Sequence, residues 1–297
     1  MSTLLDTLPA LEPHLRLTKD QRAAAKTMSI DEVRFLVNLF YKLQDDRIKS
    51  DNQERSLVKS EQPHEVLAFF ASQFTNLEND AQKALDSYSN STPVGQWARS
   101  ICGIGPVIAA GLLAHIDISK APTVGHIWSY SGISGPKHDY EGRPTDYNGR
   151  PTKLQLWTKG QKRPWNAELK TLCYKISDSF VKVSNNPNDV YGKIYAARKV
   201  LEIQRNEAGE FKTQAAAKLA NYKIGKDTEA YGYYSIGKLP PAHIDARARR
   251  YAVKLFLSHL HYVMYECYYG VPPPTPYILT KGNHAHFMAP PNWPMAK

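Results

Sequence analysis

Apolar residues return every three or four positions over most of this chain, the spacing of helices that bury one face. Ser29-Ile-Asp-Glu32 is a capping box, and Ile30, Val33, Leu36, Val37, Phe40 and Leu43 follow it at helical spacing. Charge and Ser/Asn crowd the end of that pattern, around Asp45 to Ser60. A second helix follows Pro63, with Val66, Leu67, Phe70, Phe74, Leu77, Ala81 and Leu85 on one face. The two predict either an antiparallel pair or a coiled-coil arm that would join two copies as a homodimer. Beyond a loop at 87–93, further helices are expected up to Ser100, from Pro106, over Val124–Tyr130, from Asn166 to about Val183, over Tyr191–Gln204 and over Thr213–Tyr222. A last long helix starts near His243. Val253, Phe256, Leu257, Leu260, Val263, Met264 and Cys267 are its expected buried stripe, with Arg247, Arg250, Lys254 and His261 opposite. Tyr231-Gly-Tyr-Tyr234 reads as linker. From Gly270 on, seven prolines predict an irregular tail. The expected organisation is an N-terminal helical arm (1–92), a helical domain (93–269) and a tail packed on it (270–297).

One stretch carries more than helical period. In Trp97-Ala-Arg-Ser-Ile-Cys-Gly-Ile-Gly-Pro-Val-Ile-Ala-Ala-Gly-Leu-Leu, Gly103-Ile104-Gly105 makes a tight turn between two helices. Glycine admits backbone angles closed to other residues and lets a second backbone come close. Pro106 suits the first turn of a helix, where its missing N–H costs nothing. The opening amides of that helix, Val107 among them, then form a ready anion site.

Charge says which anion. Lys and Arg number 38 against 28 Asp and Glu, a formal net charge of +10 over 297 residues, which favours a polyanionic partner. The three cysteines, Cys102, Cys173 and Cys267, are far apart and form no Cys-x-x-Cys pair or metal cluster. No cofactor or metal motif is present. No run reaches membrane-spanning length and no signal pattern opens the chain, so a cytoplasmic protein without a membrane partner is expected. The segment after Gly135 is rich in Gly and Pro and strongly cationic. Lys137, Arg143, Arg150, Lys153, Lys159, Lys162 and Arg163 lie in it, with Tyr147, Trp157 and Trp165 interleaved and no carboxylate between Tyr147 and Ala167. Cations with aromatics suit a surface that follows a phosphate backbone and stacks on exposed bases. Arg247 and Arg250 are candidates to extend it.

The run around Gly103 resembles the helix-hairpin-helix, a clamp on the DNA backbone used by glycosylases, ligases, nucleases and some transposases. The order of features is also similar to the C-terminal region of insertion-sequence transposases that combine a RuvC-like DEDD domain with a helix-hairpin-helix domain carrying a catalytic serine and act with a guide RNA. The matching residues are the helical arm before Pro93, Ser100-Ile-Cys-Gly-Ile-Gly-Pro-Val-Ile-Ala-Ala110, Ile127-Trp-Ser-Tyr-Ser-Gly-Ile133, Asn166–Leu172 and, more loosely, Arg247–Leu255. The DEDD strand pattern is absent upstream, and Ser134-Gly135 abuts the turn that precedes the family's reactive serine by several residues. The resemblance therefore implies a mainly α, double-stranded-DNA-binding domain rather than recombination; a guide RNA stays open as a partner.

Three readings follow. The first is a sequence-independent DNA-binding module. The second is a helix-hairpin-helix glycosylase acting on a flipped base. Thr123-Val-Gly-His126 stands where that superfamily has its aspartate, so the acid would be sought among Asp139, Glu141 and Asp146, where surrounding cations favour the ionised form. Phage defence through excision of modified bases would fit that reading. The third is a helical dimeric scaffold whose charge is incidental.

Overall fold

A computed structural model describes residues 16–61, 65–134, 137–138, 144–145, 160, 163, 165–275 and 287–295, the two residue pairs at 137 and 144 by backbone alone. The described residues are mainly helical and fall into two compact units, Met1–Thr92 and Pro93–Lys297.

In the first unit, α1 (Lys19–Ala24) opens on a Thr18/Gln21 capping box, and α2 (Ile30–Lys59) opens on the Ser29/Glu32 box. α2 continues through the charged stretch after the apolar pattern fades. Side-chain pairs at helical spacing, Arg47 with Asp51 at 3.1 Å and Lys49 with Asp46 at 3.4 Å, support it there. α3 (Glu65–Ser89) packs on α2 and buries Ala71, Glu78, Ala81, Ala84 and Leu85, so of the apolar stripe read from sequence Ala81 and Leu85 are inside. Glu78 accepts from Gln44 at 3.1 Å and from Arg47. Val66, Leu67, Phe70 and Leu77 are all exposed. The stripe is therefore buried at its C-terminal end and exposed at its N-terminal end.

The second unit is built around one buried helix. In chain order come α4 (Pro93–Ser100), α5 (Pro106–His115), α6 (Val124–Tyr130), α7 (Ala167–Lys182), α8 (Tyr191–Glu207), α9 (Lys212–Asn221), α10 (Glu229–Ser235) and α11 (Pro241–Tyr269). α11 contacts α4, α6, α7 and α8, so it is buried on more than one side. His261, expected on its polar face, is buried and donates Nε2–H to Ala121 C=O at 2.9 Å, whereas Cys267 is exposed. Trp97, Phe180, Tyr191 and Phe256 form an aromatic nucleus, with Trp97 stacked on Phe256 at 6.0 Å and Phe180 on Tyr191 at 4.9 Å. A smaller core of Phe211, Ala215, Tyr234, Leu239 and Ile244 holds α9 and α10. Tyr231–Tyr234 is thus helix rather than linker: the Thr228 hydroxyl caps it, accepting from Tyr231 N–H at 3.2 Å, and Tyr234 is buried.

The described part of the tail is tied down by polar contacts. Trp97 Nε1–H donates to Pro291 C=O at 2.8 Å, Asn292 to Ser100 C=O at 3.1 Å and Trp293 to Glu266 at 2.7 Å. His259 donates to Met288 C=O at 2.9 Å, which leaves its other nitrogen to accept from the Tyr191 hydroxyl at 2.7 Å. Within 137–145, β1 (Lys137–His138) and β2 (Pro144–Thr145) pair antiparallel, Lys137 opposite Thr145.

Candidate nucleic-acid interface

The two glycines of the turn do different work. Gly103 has φ +90°, and a Cβ there would stand 3.1 Å from Val183 Cγ2 and 3.3 Å from Phe180 Cδ1. Its carbonyl accepts from Ser179 Oγ at 2.5 Å, so it is required by packing on the C-terminal half of α7. Gly105 has φ −82° and ψ 174°, angles open to any residue, and a Cβ there would meet nothing within 4 Å. Nothing inside the described molecule asks for glycine at 105. The Ile104 N–H bonds to Ile101 C=O at 2.9 Å, and Ala109 N–H to Gly105 C=O at 3.0 Å. The amides of Gly105, Val107 and Ile108 have no backbone acceptor among the described residues. The side chains of Ile104 and Val107 are buried, so this turn offers a ligand only its backbone.

A second feature is built where α6 hands over to α7. Asn166 caps α7, its side chain accepting from Leu169 N–H at 2.8 Å, and it bonds α6 through its own N–H to Tyr130 C=O at 2.8 Å and its Nδ2 to Tyr130 Oη at 2.9 Å. This junction seats Trp165 on Gly132, where an added Cβ would lie 2.7 Å from Trp165 Cγ; the +66° φ of Gly132 excludes a side chain in any case. Lys170, one turn into α7, places Nζ 4.1 Å from the centre of the Trp165 ring. Across from it on α11, Lys254 Nζ is 4.8 Å from the Trp128 ring.

These cations crowd one another. Desolvation and the charges of Arg250 and Arg163 depress the Lys170 pKa; desolvation and Arg247 depress Arg250; desolvation and Arg250 depress Lys254. Among the described residues no carboxylate lies within ion-pair distance of Lys170, Arg250 or Lys254. An open depression of about 400 Å3 lies beside them, lined by Arg163, Trp165, Ala167, Lys170, Thr171 and Tyr174.

No family model, no curated protein and no solved structure matches this chain.

Of the residues picked out in the sequence, Arg163, Trp165 and Arg250 meet at this cluster. Arg247, three residues before Arg250, does not join it in the same way. Its guanidinium donates to the buried carboxylate of Glu202 at 2.6 Å and to Gln214 at 3.2 Å, and lies 4.3 Å from the Phe211 ring. Ser134 is half-buried. Lys137 is described only as part of its backbone ladder. Asp139, Glu141, Arg143, Asp146, Tyr147, Arg150, Lys153, Trp157, Lys159 and Lys162 lie outside the described residues. His126 holds Nδ1 3.0 Å from the Thr123 hydroxyl. Asp117 shapes a turn, accepting from Ser119 Oγ at 2.6 Å with Lys120 at 3.1 Å; these partners hold its pKa down. Sequence reasoning missed Lys170 and Tyr174 as site residues. Their i,i+4 spacing, just after Arg163 and Trp165, is the signal that would have joined them.

Proposed function

We propose that the second unit is a sequence-independent DNA-binding domain that grips the phosphate backbone at two places along α7. One grip is the set of amides opening α5, beside Gly105. The other is the group of cations Lys170, Arg250 and Lys254. The carrying observation is that Arg250 stands close enough to Lys170 and to Lys254 to act on both, and none of the three forms an ion pair with a carboxylate among the described residues. Folding gains nothing from such crowding; an external polyanion offsets it.

Gly103 rests on Ser179, nine residues after Lys170 in α7, so the two grips stand roughly 14 Å apart along the helix axis and about half a turn round it. Backbone amides and cations carry no base readout, so binding should be indifferent to sequence. On this reading the domain is of the kind found at the C-terminus of the insertion-sequence transposases whose hairpin residues it resembles. Fluorescence anisotropy with unrelated duplexes of equal length tests it. The expected result is equal affinity within about threefold, with a combined Lys170→Ala, Arg250→Ala and Lys254→Ala variant weakened about 100-fold or more. No binding, or a wild-type affinity in the triple variant, overturns it.

A further inference from the structure

We propose that the depression bounded by Arg163, Trp165, Lys170, Thr171 and Tyr174 receives an unpaired nucleotide, with its phosphate against the cations and its base on the Tyr174 ring. This rests on the DNA-binding reading above and says which part of a DNA molecule this site takes.

The two aromatics of the depression are in different states. Trp165 is already engaged, packed on Gly132 and covered by the Lys170 ammonium. Tyr174 is 67% exposed, a large ring left in water on the same face of α7 as Lys170, one turn later. The lining is otherwise cationic or small, with a hydroxyl at Thr171 and no carboxylate. Its volume falls in the range of small-molecule sites.

The position of an exposed ring inside a phosphate-attracting cluster constrains the ligand. In an intact duplex the base faces are covered by their neighbours, and a protein reaches only edges and backbone. A ring can stack on a base only where the base is unpaired and its face open: at a strand end, a bulge or a single-stranded stretch. An acidic peptide would satisfy the cations but leave Tyr174 without a flat partner.

The test compares a blunt duplex with the same duplex carrying a short single-stranded extension, by fluorescence anisotropy at one salt concentration. The wild-type protein is expected to bind the extended form about 10-fold more tightly, the worth of one stacked base. Tyr174→Ala should abolish that preference, and Tyr174→Phe should keep it. Because Tyr174 is exposed, its variants should retain the wild-type circular dichroism spectrum and melting temperature. Equal wild-type affinity for the two DNAs, or a preference that survives in Tyr174→Ala, overturns the nucleotide pocket but not the backbone grip. Failure to bind either DNA overturns both.

Discussion

Two regions along α11 handle positive charge in opposite ways. Where α11 meets α8, every cation has an acid. Glu202, 1% exposed as a side chain, is held by Arg198 at 2.5 Å, Arg205 at 3.4 Å and Arg247 at 2.6 Å. Asp245 is shared by Lys199 at 2.8 Å and Arg249 at 2.6 Å, with the Tyr195 hydroxyl donating at 2.5 Å. Where α11 meets α6 and α7, Arg250 faces Lys170 and Lys254, and none of the three has an ion-pair partner among the described residues. The first region is complete within the molecule and explains itself as structure. The second is incomplete, which is why it is read as a binding surface.

If that contrast is right, the first region should fail by unfolding and the second by losing its ligand. The largest expected effect is at Glu202. Burial alone would raise its pKa, yet Arg247 and Arg198 hold it down, so the carboxylate is ionised and balances three guanidinium groups. Glu202→Gln should cost about 3 kcal/mol or more in urea unfolding, the usual result of removing one partner from a buried ion pair. A loss under about 1 kcal/mol would mean that the network is a solvated surface and the comparison is empty.

Next is acid. Burial would push the Asp245 carboxyl up, but Lys199, Tyr195 and Arg249 hold it at about 2 against an ordinary 3.8. A depressed carboxylate stabilises the fold above its unfolded pKa and loses that contribution as pH falls toward the folded value. The account predicts about 2 kcal/mol lost between roughly pH 4 and pH 2 through this group. The Asp245→Asn variant should show a correspondingly shallower acid limb in urea unfolding.

The smallest pair repeats the contrast at the turn. Gly103→Ala places a Cβ against Val183 at a positive φ and should destabilise by about 1–3 kcal/mol. Gly105→Ala meets no internal atom and should change stability by less than about 0.5 kcal/mol. Its effect belongs in DNA affinity, where a new Cβ obstructs an approaching phosphate. Thermal melts and anisotropy on both variants separate the two outcomes.

Sequence period located most helices because their signals are local. The Ser29/Glu32 box, Asn166 before α7 and Pro106 at the start of α5 are legible from a few residues. α2 outran its apolar pattern because ion pairs between neighbouring turns can hold a polar helix. α10 was hidden because its stabilising contact is long-range: Tyr234 is buried against residues of α9 and the start of α11. The apolar stripe of α3 held only in part: Ala81 and Leu85 are buried, whereas Val66, Leu67, Phe70 and Leu77 stay exposed. At the candidate site the limit was pairing. Arg247 and Arg250 look alike in the chain, and only the fold brings Glu202 to one and leaves the other among cations. Tyr174 has no distinguishing neighbour in sequence; its meaning comes from Lys170 and the capped junction beside it.

The central claim is that the face around Lys170, Arg250 and Lys254 is there to meet phosphates. The most direct measurement is the salt dependence of duplex affinity for the wild-type protein and for the variant with alanine at all three positions. The account predicts a linear fall of log affinity with log salt and a slope shallower by about 3 in the variant, which keeps the wild-type circular dichroism spectrum. An unchanged slope, or one near zero in the wild-type protein, would contradict it.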